Sequence, residues 1–198
     1  MRILLLVLTS LIVTSLQGCF PLIAAGVGAG ALSIADRRST GAQVDDGAIE
    51  VKTSNRFKEQ FGTAQYNVDV TSFNRHVLLT GEAASEDIKR KLFEIATAVP
   101  NVAGVTNEIA VGFTNNRPGD ALITSNVKAR LLTNNEGKLS PNNIKVVTEN
   151  STVFLMGLVT QAEGEAAAEI ARTSKGVQRV VKVFEYIDKA PEVGTAAK

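Results

Sequence analysis

The chain has 198 residues, 21 basic and 20 acidic, for a formal net charge of +1. That balance argues against a bulk nucleic-acid binder, and the lack of tryptophan removes the usual stacking platform for sugars or single strands. One cysteine rules out an intramolecular disulfide, and one histidine leaves no histidine partner for a metal or nucleophile site.

Met1-Arg2 followed by an apolar run from Ile3 to Leu16 reads as a signal peptide over residues 1–18, too short to span a bilayer. The run ends in Leu16-Gln17-Gly18-Cys19, which resembles the bacterial lipoprotein signal, cleaved before a lipidated cysteine. The alternative is a buried thiol near an ordinary cleavage site. The lone cysteine falls where the lipid signal requires it. The resemblance implies no cofactor beyond a covalent lipid on Cys19, a diacylglyceryl group plus an amide-linked acyl chain such as palmitate. Several chains give a stable anchor where one would not. Phe20 follows, not the aspartate of an inner-membrane retention signal, so the expected location is the periplasmic face of the outer membrane.

Residues 19–45 read as a lipidated, flexible linker. Gly26, Gly28 and Gly30 do not match a phosphate-loop pattern and fit a spacer. Asp36 to Asp46 is polar, and Arg37-Arg38 is expected to be solvated or to meet anionic headgroups.

Beyond the linker the chain repeats itself. Tyr66–Thr71 alternates at period two, Phe73-Asn74-Arg75 turns, and Val77–Gly81 forms a second strand. Ile144–Thr148, a turn at Glu149-Asn150-Ser151 and Val153–Gly157 repeat this, with Val77 and Val153 76 apart in number. A helix follows each hairpin. Ser85 caps the first, and Ile88, Leu92, Ile95, Ala96 and Val99 form its apolar stripe. Thr160 and Glu163 make a capping box for the second, which turns Ala166, Ala167, Ile170 and Ala171 inward. Third strands are expected at Gly104–Ile109 and Gly176–Val181. Their glycines are 72 apart (176 − 104), so the second helix-and-turn segment should be four residues shorter.

Each copy opens with a helix, Asp46 to about Phe57 and Asp120 to about Thr133, which aligns Ile49 with Ile123 and Arg56 with Arg130. The pair Asp45-Asp46 is expected to cap the first. The predicted fold class is α+β: two tandem helix-strand-strand-helix-strand units, each a three-stranded mixed sheet packed on two helices. The domain limits are 46–114 and 120–188, with a linker at 115–119 and a disordered tail at 189–198.

The informative stretch is the helix from Asp120. Ile123, Val127 and Leu131 cluster on one side for the core, whereas Leu122, Ser125, Ala129 and Leu132 fall largely on another. Lys128 and Arg130 flank that strip and Lys138 follows it. Apolar surface beside cations suits insertion into an anionic phospholipid surface. The alternative is that Leu122 or Leu132 buries against the other repeat. The first helix of the first copy has fewer large apolar residues and is the weaker candidate. His76, alone between a turn and a strand, gives no catalytic constellation, so no enzyme is expected.

The Val-x-Leu-x-Gly strands (Val77–Gly81, Val153–Gly157) and the Gly-Val pairs (Gly104-Val105, Gly176-Val177) resemble the BON domain, named for bacterial osmotically induced and nodulation proteins. The linker Arg38–Asp46 and the strand Val153–Thr160 resemble those of dual-BON outer-membrane lipoproteins linked to cell division and envelope stress. That resemblance implies binding of anionic phospholipid such as phosphatidylglycerol, chiefly through the second BON domain. It also implies support of outer-membrane integrity, enrichment at the division septum, and envelope or division proteins as further partners. The phospholipid-binding residues are then Leu122, Ser125, Lys128, Ala129, Arg130 and Leu132. The competing reading is a protein–protein scaffold of the periplasmic envelope without lipid recognition.

Overall fold

The structure, a computed structural model, describes residues 36–113, 119–133 and 139–189. The signal peptide, Cys19, most of the Gly/Ala-rich spacer and of the 115–119 linker, Lys138 and nearly all of the tail lie outside the described residues. The elements in chain order are α1 (Thr40–Phe61), β1 (Tyr66–Phe73), β2 (His76–Ala83), α2 (Glu86–Thr97), β3 (Gly104–Val111), α3 (Asp120–Thr133), a 3-10 turn (Pro141–Asn143), β4 (Ile144–Glu149), β5 (Thr152–Val159), α4 (Gln161–Arg172) and β6 (Arg179–Tyr186). Both repeats therefore have the expected α+β order. Among the described residues no helix is long and apolar enough to cross a membrane.

Each sheet is three-stranded and mixed, with strand orders β1-β2-β3 and β4-β5-β6. The first pairing is antiparallel through a two-residue turn, and the second is parallel through a crossover helix. Both turns hold two consecutive residues at positive φ, Asn74 and Arg75 (51° and 65°) and Asn150 and Ser151 (49° and 59°). That backbone matches the right-handed twist of the strands it joins.

Helices cover one face of each sheet. In the first repeat Ile49, Phe57, Val77, Leu79, Leu92 and Ile109 close the core, and in the second Ile123, Val127, Leu131, Val153, Leu155 and Ala167 do so. The opposite faces of the two sheets meet. Phe73 and Leu78 pack with Phe154 and Met156, flanked by Val147, Leu158, Val181 and Val183. The central strands β2 and β5 are consequently buried on both sides over most of their length. Both cores and the seam between them lie wholly within the described residues.

Two expectations are corrected. Residues Thr40–Asp45, read as linker, are helical: Ser39 caps α1 by accepting from the Ala42 N–H (3.0 Å). The inward stripe of α1 is Ala42, Asp46, Ile49, Thr53 and Phe57, and its two polar members hide the periodicity from a hydrophobic pattern. Asp46 is thus inside the helix and does not cap it. The third strands are also out of the expected register. Val105 pairs with Val77 and Val180 with Val153, so Gly104 corresponds to Arg179, and Gly176 lies in the preceding turn. Glu86–Thr97 and Gln161–Arg172 are equal in length, so the second helix-and-turn segment is not four residues shorter. The two copies differ by one residue, Ala84, which separates β2 from its cap Ser85, whereas Val159 abuts Thr160.

The capping residues stand as expected. Ser85 accepts from the Ile88 N–H, and Thr160 and Glu163 form the reciprocal capping box.

Candidate functional site

The helix α3 is held in place from both ends. Its Asp120 carboxylate accepts from the N–H groups of Asn150 (2.7 Å) and Ser151 (2.9 Å), which fixes the helix start to the β4–β5 turn. At the other end the Arg130 guanidinium donates to the Ile170 carbonyl (2.9 Å), Ser174 Oγ (2.7 Å) and Thr173 Oγ1 (3.0 Å). These contacts tie it to the C-terminus of α4, where a cation also meets the negative end of the helix dipole. Arg130 is therefore committed to the fold and does not stand on the apolar strip.

Between those ends Ile123, Val127 and Leu131 face the core. The outer strip is open to solvent: Leu122 is 77% exposed and Leu132 65%, with Ser125, Lys128 and Ala129 exposed between them. Neither leucine buries against the first repeat. Single exposed apolar residues are common, but two leucines and Ala129 on one side of a helix, beside a lysine with no partner among the described residues, leave an apolar edge that Ser125 alone interrupts. Beneath Leu132 a hollow of about 270 Å³ is lined by Lys128, Leu131, Pro141, Asn142 and Ile144. The apolar edge thus continues into a recess.

The equivalent face of α1 is different. Ala48, Val51, Ser54, Asn55 and Lys58 stand where α3 has Leu122, Ser125, Lys128, Ala129 and Leu132. Its exposed apolar residues are the smaller Val44 and Val51.

Arg37 and Arg38, read as solvated, are anchored. Arg37 makes two hydrogen bonds to the Glu163 carboxylate (2.7 and 2.8 Å) and one to the Leu158 carbonyl (2.9 Å), crossing from the first repeat's leader to the second repeat. Arg38 pairs with Asp36 and Asp46 and lies 4.2 Å from the centre of the Phe73 ring. Sequence reasoning missed these long-range roles. The one nearby signal was the recurrence of Asp46 at Asp120, which holds the hairpin turn in the second copy but meets no arginine among the described residues.

His76 borders a cleft of about 580 Å³ between the repeats, and its Nε2 meets Thr106 Oγ1 at 2.9 Å. Burial lowers its pKa below 6.5, with Glu185 opposing, so the ring is neutral at pH 7. Among the described residues no cluster of histidine, cysteine or acidic groups is arranged to hold a metal.

Two copies of one compact unit, each with a hairpin, a crossover helix and a leading helix, define a small tandem α+β protein. The BON domain model matches residues 45–112 and 119–188, and the chain belongs to that family. It is similar to the Outer membrane lipoprotein DolP of Haemophilus influenzae, with 37% identity over 181 residues covering 87% of this chain and 91% of that protein. It is also similar to the 21 kDa hemolysin of Actinobacillus pleuropneumoniae, with 35% identity over 159 residues, 77% of this chain and 79% of that protein.

Proposed function

We propose that this chain is a non-enzymatic outer-membrane lipoprotein, anchored through Cys19, whose second BON domain binds anionic phospholipid along α3. The observation that carries the reading is the strip from Leu122 to Leu132, solvent-exposed at both leucines and flanked by Lys128. Leucines supply apolar area for the acyl boundary, and the ammonium supplies attraction to phosphate at the same depth. The sequence Leu16-Gln17-Gly18-Cys19 and the similarity to an outer membrane lipoprotein of Haemophilus influenzae support the location. The proposed lipid contacts are Leu122, Ser125, Lys128, Ala129 and Leu132, with Arg130 holding the helix that presents them. Support of outer-membrane integrity and enrichment at the division septum belong to the same reading.

The test is a titration of the chain from Phe20, which retains both cores, with phosphatidylglycerol and phosphatidylcholine micelles while backbone amide shifts are followed. Shifts confined to residues 120–133 and their neighbours, with the anionic lipid only, are expected. Lys128→Glu should weaken the affinity by about fivefold, the worth of one cation near an anionic surface. Identical spectra with both lipids would sink the reading. Envelope or division proteins captured by wild type and Lys128→Glu alike, but lost with Leu122→Asp, would put the scaffold in its place.

A further inference from the structure

At the N-terminal end of α3 a hollow of about 670 Å³ opens beside Leu122. Ser151 lines it and is only 9% exposed. Its main-chain N–H donates to Asp120 and its carbonyl accepts from the Gln178 N–H (2.9 Å). Its hydroxyl makes no hydrogen bond among the described residues and is not sealed from solvent, so it is open to a ligand in the hollow. Three other polar side chains reach the same hollow without a partner among the described residues: the Asn126 and Gln178 amides and the Lys175 ammonium. Asp120 also lines it, but its oxygens are engaged by the N–H groups of Asn150 and Ser151. The positive end of the α3 dipole adds to the field there.

We infer that this hollow is the subsite for a phosphodiester headgroup bearing free hydroxyls, of the phosphoglycerol kind. This rests on the lipid-binding reading of α3. The phosphate lies against Lys175 and the helix start, and the headgroup hydroxyls meet Ser151, Asn126 and Gln178. Leu122, on the rim, leads the acyl end out along the exposed strip. One ammonium, set among neutral donors and beside the hydrogen-bonded Asp120 carboxylate, favours a singly charged diester carrying hydroxyls over a bare, more highly charged anion.

The first repeat lacks these groups. Pro100 and Ala103 stand where the second has Lys175 and Gln178, and Ala48 replaces Leu122. Asn101, in the position of Gly176, donates to Asp45 (3.0 Å) instead. The changes at Lys175, Gly176 and Gln178 lie outside the exposed strip and also assign lipid recognition to the second domain.

The experiment uses the chain from Phe20 with vesicles of phosphatidylglycerol in phosphatidylcholine. Lys175→Glu should weaken binding by about tenfold and Ser151→Gly by about threefold, the loss of one charged and one neutral hydrogen bond. Glycine suits the positive φ at position 151, so that variant keeps its turn. Lys52→Glu on α1 controls for net charge and should leave binding unchanged. Soluble glycerophosphoglycerol should shift the amides of Ser151, Gly176 and Gln178, and inorganic phosphate should shift them less. Two results would overturn the subsite while leaving the strip intact. One is wild-type vesicle binding by both hollow variants alongside its loss in Leu122→Asp. The other is a response to inorganic phosphate as strong as that to the glycerol diester. Wild type that ignores phosphatidylglycerol vesicles altogether would overturn the underlying lipid reading and the subsite with it.

Discussion

Asp46 takes four hydrogen bonds while buried on α1. Its carboxylate accepts from Ser72 Oγ (2.7 Å), the N–H groups of Asn74 (2.9 Å) and Arg75 (2.7 Å), and Arg38 Nη1 (2.9 Å). A buried carboxylate is tolerated only when so fully satisfied, and here it fixes a turn in which two residues adopt positive φ. Asp120 repeats the arrangement with two N–H groups and no guanidinium. Removing either leaves orphaned donors, but Asp46→Ala also takes an acceptor from the Ser72 hydroxyl and leaves Arg38 with Asp36 alone. Asp46→Ala is therefore expected to cost about 3–4 kcal/mol and Asp120→Ala about 1–2 kcal/mol. Urea denaturation followed by circular dichroism separates the two, and equal losses would mean that the Arg38 and Ser72 contacts together contribute nothing.

At the scale of elements, the hairpins were legible because their strands repeat a pattern with a physical reason. Gly81 has φ near 111°, and a Cβ there would lie 2.1 Å from the Asn67 carbonyl oxygen on the paired strand. At Gly157 the φ is ordinary, but a Cβ would still lie 2.4 Å from the Asn143 carbonyl oxygen. Backbone cannot step aside as a flexible side chain can. Gly81→Ala should accordingly destabilise by about 3 kcal/mol or more, and Gly157→Ala by less, because only the first adds backbone strain to the clash. Denaturation midpoints of the two single variants give the order. The turn before the third strand was misread for a related reason. It needs a left-handed residue in both copies, which is Asn101 (φ 71°) in one and Gly176 (φ 91°) in the other. Asparagine tolerates that backbone nearly as well as glycine, so the glycines at 104 and 176 looked equivalent and were not. The start of α1 was illegible because buried Asp46 and Thr53 interrupt its apolar stripe, and the fixed place of Arg37 because its partner, Glu163, lies on an element that only the tertiary fold brings near. The exposed strip of α3 was legible because helical periodicity alone separates Leu122 and Leu132 from the core residues Ile123, Val127 and Leu131.

For the whole molecule, the seam between the domains carries two carboxylates that titrate in opposite senses. The hydrogen bonds from Arg37 hold Glu163 below the ordinary glutamate value of 4.5. Burial, then the charges of Asp120, Asp69 and Glu82, push Glu149 above it. Asp69 and Glu82 belong to the first domain and Glu149 to the second, so the ionised form of Glu149 strains the seam at neutral pH. A raised carboxylate binds its proton more tightly when folded, and stability rises as pH falls through its folded value. A depressed one does the reverse: the Glu163 contribution is complete above 4.5 and is lost as pH falls through its lower folded value. The melting temperature is therefore expected to climb on mild acidification from neutrality, as Glu149 takes up its proton, and to fall in stronger acid as Glu163 does. Glu149→Gln should be the more stable at pH 7 and lose the climb while keeping the fall. Arg37→Met should lose about 3 kcal/mol at neutral pH, since it leaves the buried Glu163 without its partner, and should show the shallower fall in acid. Thermal melts of the three chains across that range decide the matter. A climb that survives in Glu149→Gln would place the titrating group elsewhere, whereas a fall unchanged in Arg37→Met would remove Arg37 from the acid-sensitive link between the domains.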